Sequence, residues 1–173
     1  PVAAEGGVKD DGVRRILGID PGTAITGFGV VERGPDRSVR LLECGVIRTS
    51  SGDPLTDRIR EVHDGVVALI DRHRPHVLSV EDVFQGRNVR SALTLGHARG
   101  VILLAGSMGS VQIAEYTPAE IKKAVVGRGS ATKEQVGFMV QRHLRLKEAP
   151  TPADAADGVA AALCHCFKGS FHK

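Results

Sequence analysis

Two carboxylates close short apolar runs in this chain: Asp20 follows Ile16-Leu17-Gly18-Ile19, and Glu81 follows Val77-Leu78-Ser79-Val80. Apolar runs of this length, bounded by turn-forming or polar residues, form buried strands, so each acid is expected at the rim of a sheet. If the two strands are parallel neighbours, Asp20 and Glu81 stand side by side at their carboxyl ends, where open α/β sheets place their sites. Two further acids, Asp154 and Asp157, are three residues apart in a predicted helix and so project from one side of it. Asp154 has an ordinary reading as well, because an acid in a first helical turn stabilises the orphan N–H groups and the dipole by about 0.3–1 kcal/mol. Asp157 has no such reading. It lies among Ala155, Ala156, Gly158, Val159, Ala160 and Ala161, a run of small residues suited to close packing on a sheet, and a carboxylate pressed into such a surface needs a partner.

Gathered on one rim, the four carboxylates would raise one another's pKa values unless cations were present. A donor set made only of oxygens selects hard ions, which points to Mg²⁺, with Mn²⁺ able to substitute. Two such ions about 3.5–4 Å apart activate a water and stabilise the leaving oxyanion in phosphodiester cleavage. None of the acids is a specific signal alone.

The elements that must position these groups follow from the pattern of the chain. Pro21-Gly22 turns it sharply after Asp20, and Phe28, Val30 and Val31 rebuild a strand antiparallel to the first. Residues 39–50 read as a third strand, completing an antiparallel meander. Asp53 and Pro54 are expected as N-cap and first residue of a helix whose apolar face is Leu55, Ile59, Val62, Val66, Leu69 and Ile70. The strand ending in Glu81 comes next, then a helix over about 88–107 and a strand over 111–116. Thr117-Pro118-Ala119-Glu120 is a capping box for the following helix, a further helix spans 132–144, and Thr151-Pro152-Ala153-Asp154 repeats the cap pattern for a last helix through Ala162. The order βββαβαβ followed by helices implies an α/β fold: a five-stranded mixed sheet, three strands antiparallel then two parallel, with helices on both faces.

With 173 residues the chain suffices for one well-buried domain, expected over 14–166, with a disordered N-terminal extension over 1–13 and a flexible tail over 167–173. No apolar run approaches a membrane span, and three cysteines do not form a disulfide framework. A cytoplasmic protein is therefore expected. Cys164-His165-Cys166 has the wrong spacing for a zinc site. The net charge of +3 is unevenly spread, since residues 121–147 alone carry a net +6. A basic block beside an acidic cleft suggests nucleic acid, although a solvated helix face accounts for the charge equally well.

The motifs taken together resemble those of the RuvC family of Holliday junction resolvases, crossover junction endodeoxyribonucleases of the ribonuclease H-like fold. The resemblance is carried by Ile19-Asp20-Pro21-Gly22-Thr23, Val80-Glu81-Asp82-Val83-Phe84, Gly86-Arg87-Asn88-Val89-Arg90-Ser91-Ala92-Leu93, Gly96-His97-Ala98-Arg99-Gly100, Val125-Val126-Gly127 and Asp154-Ala155-Ala156-Asp157. Several ordered motifs are far more specific than any one. The resemblance implies a Mg²⁺-dependent homodimer that makes symmetric nicks in two strands of a four-way junction during recombination and repair, beside branch-migration proteins of the RuvA and RuvB type. Asp20, Glu81, Asp154 and Asp157 match the family's metal-binding, catalytic carboxylates. Thr23 stands where the family often has Ser, and Gln85 where it is often apolar or aromatic.

Expected DNA contacts follow. Aromatic residues make up 3% of the chain, so Phe84 in a polar loop stands out, and the resemblance supports base stacking, worth about 1–3 kcal/mol. The alternative is a hydrophobic plug beneath the loop. Phe28 and Phe138 are expected in the core, Tyr116 as the end of a strand and His143 at the surface. Lys122 and Lys133 match family positions that contact the scissile backbone, with Lys123 an equal or lesser phosphate contact. Arg87, Arg90 and Arg99 extend the footprint. Ala92, Gly96 and Gly100 recur at four-residue spacing, which lets another helix approach closely, and form the expected dimer interface. Rival readings remain at this point. An Asp-Pro-Gly-Thr turn also resembles the first phosphate loop of actin-like ATPases, which need two such lobes. A ribonuclease H-like nuclease acting on other DNA or RNA, and a non-catalytic junction-binding scaffold, are the others.

Overall fold

The computed structural model describes residues 12–82 and 88–169. Strands β1 (Arg14–Asp20), β2 (Ile25–Arg33) and β3 (Val39–Arg48) form the antiparallel meander, and β4 (Val77–Glu81) and β5 (Gln112–Tyr116) add to it in parallel. The spatial order is β3-β2-β1-β4-β5. Helices α1 (Leu55–His73) and α2 (Val89–Met108) cover one face of the sheet, and α3 (Pro118–Val126), α4 (Lys133–His143) and α5 (Ala153–Lys168) the other.

Strand alternation sorts the side chains cleanly between the two layers. Ile16 of β1 and Val77 of β4 join the core under α5, while Leu17, Ile19, Leu78 and Val80 join the core under α1 and α2. The same alternation turns Asp20 and Glu81 toward the α5 face. Burying these aliphatic side chains contributes about 1.5–3 kcal/mol each, so the register that aims the two acids is strongly fixed.

Several local expectations are corrected. Asp53 does not cap α1: Pro54 occupies the cap position with an extended backbone, and its carbonyl accepts from the N–H groups of Asp57 and Arg58. No side chain caps this end, and the helix opens one residue later than expected. Pro152 likewise occupies the cap position of α5, so Thr151 and Asp154 form no capping box. The intended box at Thr117 and Glu120 is complete, because there Pro118 falls at the first helical position. Helix α5 continues to Lys168, beyond the expected end at Ala162, because Leu163, Cys164, His165 and Cys166 are buried. Phe138 is 58% exposed; α4 buries Val136 and Val140, and a residue two positions from Val136 faces away from them. Phe28 is buried as expected.

Candidate active site

The site begins with the register of β1 and β4. Ile19 pairs with Val80, so Asp20 and Glu81 follow as adjacent strand ends. The turn after Asp20 is pinned from within: the buried Thr26 hydroxyl donates to the Gly22 carbonyl at 2.6 Å and accepts from the Gly22 N–H at 3.3 Å. Ser79, also buried, donates to the Ala161 carbonyl at 2.7 Å and ties β4 to α5.

The approach of α5 brings the other two acids. A Cβ built on Gly18 would lie 2.2 Å from the Gly158 carbonyl oxygen, and one on Gly27 would lie 1.9 Å from that of Asp154. Only glycine at these strand positions lets the helix backbone rest directly on the sheet. Asp157 is thereby set beside Asp20, and ligand oxygens of Asp20, Asp154 and Asp157 lie within 4.8 Å of one another. Asp154, released from any capping bond by the shifted helix start, is available to this cluster. Glu81 lines the same pocket, of about 160 Å³, with Asp20, Asp157, Lys122, Lys133, Pro118 and Ile121.

Electrostatics at this rim are adverse. Burial, then Glu81, Asp157 and Asp154, push the Asp20 carboxyl up to about 8, against the partial relief of Lys133. Burial and Asp157 raise Glu81, while Lys133 and Lys122 counter them. Lys133 donates to Asp157 Oδ2 at 2.7 Å, and this hydrogen bond raises its own pKa against the effect of burial. Two lysines against four acids leave an excess of negative charge, which a bound cation would offset. The all-oxygen donor set fits a hard divalent ion.

The expected site residues divide in four ways. Asp20, Glu81, Asp154, Asp157, Lys122 and Lys133 stand around one pocket or cluster. Lys123 and Arg90 are exposed and outside that pocket. Phe84 and Arg87 lie outside the described residues. Ala92, Gly96 and Gly100 are exposed on α2, beside Val89, Leu93, Leu104 and Met108, whose exposures run from 51% to 78%.

Arg99 is a correction. Expected to extend the phosphate footprint, it instead pairs through Nη2 with Asp82 Oδ1 at 3.3 Å and with a Glu115 carboxylate oxygen, and this trio is net negative. Tyr116 does more than end its strand: its hydroxyl and His165 Nδ1 are 2.8 Å apart, across the junction of β5 and α5. His165 lies beyond the expected end of the last helix, so the pair was hidden with it. His143 is exposed, as expected, and bonds the Val125 carbonyl at 2.8 Å.

The family model for crossover junction endodeoxyribonuclease RuvC matches residues 16–165. The chain belongs to the RuvC family. It is 48% identical over 155 residues to the RuvC of Parafrankia sp., covering 90% of this chain and 87% of that one. The RuvC of Pelotomaculum thermopropionicum is likewise 48% identical over 150 residues, covering 87% of this chain and 91% of the relative. Among solved structures, T. thermophilus RuvC in complex with Holliday junction substrate superposes with a TM-score of 0.83 at 39% identity, covering 89% of this chain and 93% of that chain. The RuvC-family match spans both strand ends and both aspartates of α5, and with it the ribonuclease H-like fold expected from the motifs.

Proposed function

We propose that this chain is a crossover junction endodeoxyribonuclease that resolves four-way (Holliday) DNA junctions by paired symmetric nicks, in homologous recombination and DNA repair, in the cytoplasm. The observation that carries the reading is the convergence of Asp20, Asp154 and Asp157, with Glu81 in the same pocket, on a RuvC-family sheet. Among the described residues no helix is long and apolar enough to cross a membrane.

Mg²⁺, with Mn²⁺ as a substitute and two ions per site, is the proposed cofactor, and it supplies a nucleophile at neutral pH and charge stabilisation at the phosphoryl group. The chain's own residues hold and orient. Asp20, Glu81, Asp154 and Asp157 offer the carboxylate oxygens. Lys133 offsets part of their charge and stands with Lys122 at the mouth, where both meet the backbone of the strand to be cut. Phe84 stacks on a base at the branch, and Arg87, Arg90 and Lys123 contact phosphates further out. Each phosphate neutralised on duplex arms adds about 0.9 to the salt slope of binding.

A homodimer suits a substrate with two equivalent strands, and the exposed face of α2 supports it: Val89, Leu93, Leu104 and Met108 flank the small residues Ala92, Gly96 and Gly100. Branch-migration proteins of the RuvA and RuvB type are included as partners on the family resemblance.

The test is cleavage of a synthetic mobile four-way junction beside a linear duplex of the same sequence, in Mg²⁺ and in EDTA. Paired, metal-dependent nicks in the junction alone are expected. Equal cutting of both substrates would leave a general ribonuclease H-like nuclease, and junction binding without cutting would leave a scaffold.

A further inference from the structure

We propose that Arg99 is a positioning residue for cleavage, fixing the carboxyl end of β4 from the sheet face opposite the carboxylate cluster and thereby setting where Glu81 stands. The inference rests on the reading of the Asp20 and Glu81 pocket as the cleavage centre. It starts from strand alternation. Glu81 pairs in register with Tyr116, and both point toward α5, where Tyr116 meets His165. The next residue, Asp82, and the residue before Tyr116, Glu115, therefore point the other way, toward α2. Arg99 of α2 pairs with both, at 3.3 Å for Asp82. The Asp82 N–H also donates to the Tyr116 carbonyl at 2.8 Å. The peptide directly after Glu81 is thus held by the ladder to β5 and by one guanidinium beneath it.

Stability alone is a weak account of this arginine. Its side chain is 23% exposed, and its Nε is buried without a hydrogen-bond partner among the described residues. Asp82 and Glu115 are part-exposed as well, at 23% and 43%, and ion pairs that reach solvent contribute little to stability. Its two acids outnumber it, so it offers no positive field to DNA. What remains is placement, and placement is exacting: a misplacement of about 1 Å in a reacting constellation lowers rates about 100-fold. Since α2 also carries the face assigned to the second copy, one side chain joins the dimer seat to the end of β4.

The experiment compares the full chain with R99M and R99K in three measurements: single-turnover cleavage of a four-way junction at varied DNA concentration, calorimetric titration with Mn²⁺ in the absence of DNA, and thermal unfolding. For R99M the maximal cleavage rate is expected to fall about 30- to 100-fold with the half-saturating junction concentration unchanged. Mn²⁺ affinity is expected to weaken at least about threefold, and the thermal midpoint to stay within about 4 °C. R99K, which can still hold one of the two acids, is expected to recover part of the rate and of the Mn²⁺ affinity.

A wild-type rate and Mn²⁺ affinity in R99M would overturn the proposal. So would a loss confined to half-saturation, which marks a phosphate contact, or a collapse of the thermal midpoint in parallel with both other readouts, which marks a strut of the fold. If the unaltered chain cut no junction at all, the nuclease reading itself would fall. The Mn²⁺ titration of R99M would then still decide whether Arg99 sets the cluster.

Discussion

Helices α5 and α2 lie on opposite faces of one sheet, both are rich in small and aliphatic residues, and they use that composition in opposite ways. In α5 the small residues are consumed inside the chain. A Cβ on Gly158 would lie 2.5 Å from Phe28 Cα, and eleven of the sixteen residues of the helix are buried. In α2 only Ala98, Ile102, Ala105 and Gly106 are buried, and a Cβ on Gly96 or Gly100 would meet nothing within 4 Å. A stripe of small residues therefore permits close approach without saying by what. On α5 the approach is to the sheet, and it delivers Asp154 and Asp157 to Asp20. On α2 the stripe faces outward, among large apolar side chains, as an intermolecular seat would.

The largest effect is expected at the α5 side of this contrast. Asp20→Asn should lower junction cleavage by about 10³-fold or more, because it removes a charge from the cation site, while gel-shift binding of the junction in EDTA persists, since binding rests on the basic surface. Simultaneous loss of binding would mean that the fold had failed. An alanine at Gly158 should come next in size. Its methyl group would meet sheet backbone, and urea unfolding should report a loss of about 3 kcal/mol. The same change at Gly100 should be neutral or raise stability by up to about 1 kcal/mol, since it meets open space and improves helix propensity. Equal losses at the two glycines would erase the distinction between the helices.

On the α2 side, Leu93→Glu places a charge in the middle of the proposed seat. Light scattering should show a monomeric mass at concentrations where the parent chain is dimeric, with dissociation strengthened by at least about tenfold. Far-ultraviolet circular dichroism should be unchanged, because Leu93 is 62% exposed within the chain. A parent chain that is monomeric at every concentration would remove α2 as an interface.

The strand ends and the acids at them were legible because alternation, turn residues and short apolar runs are local signals, and the shift from meander to parallel strands follows from what lies between them. The small-residue run around Asp157 announced the packing of α5 for the same reason. What failed depended on tertiary context. Proline at 54 and at 152 looked like a first helical residue in both places, yet each became the cap. The end of α5 was set at Ala162 because small residues stop there, although Leu163 to Cys166 are buried. Phe138 has an aromatic type suited to a core but sits on the outer face of α4. Arg99 was grouped with the arginines around it, and only the faces of β4 and β5 show that Asp82 and Glu115 reach it first.

A pH effect belongs to the α5 side alone. In EDTA the folded chain holds a proton on Asp20 up to about pH 8, whereas the unfolded chain releases it near the ordinary carboxylate value. Between these limits the folded state binds more protons, so stability falls as pH rises. Glu81, raised in the same direction, adds to the trend. His165 opposes it at the acid end. Burial lowers its pKa to about 4, so between about 4 and 6.5 the unfolded chain binds the extra proton on this group and the two slopes offset one another. The clean window is pH 6.5 to 8, where unfolding in urea should show a loss of about 1–2 kcal/mol with rising pH. Mg²⁺ should flatten this slope by favouring the ionised carboxylates, and Asp20→Asn should flatten it without Mg²⁺. Leu93→Glu, on the other side of the sheet, should leave the slope of the folded monomer as it is. A slope that vanished in Leu93→Glu would mean that the carboxylate rim and the α2 seat share their energetics, and that the two faces are one cooperative site.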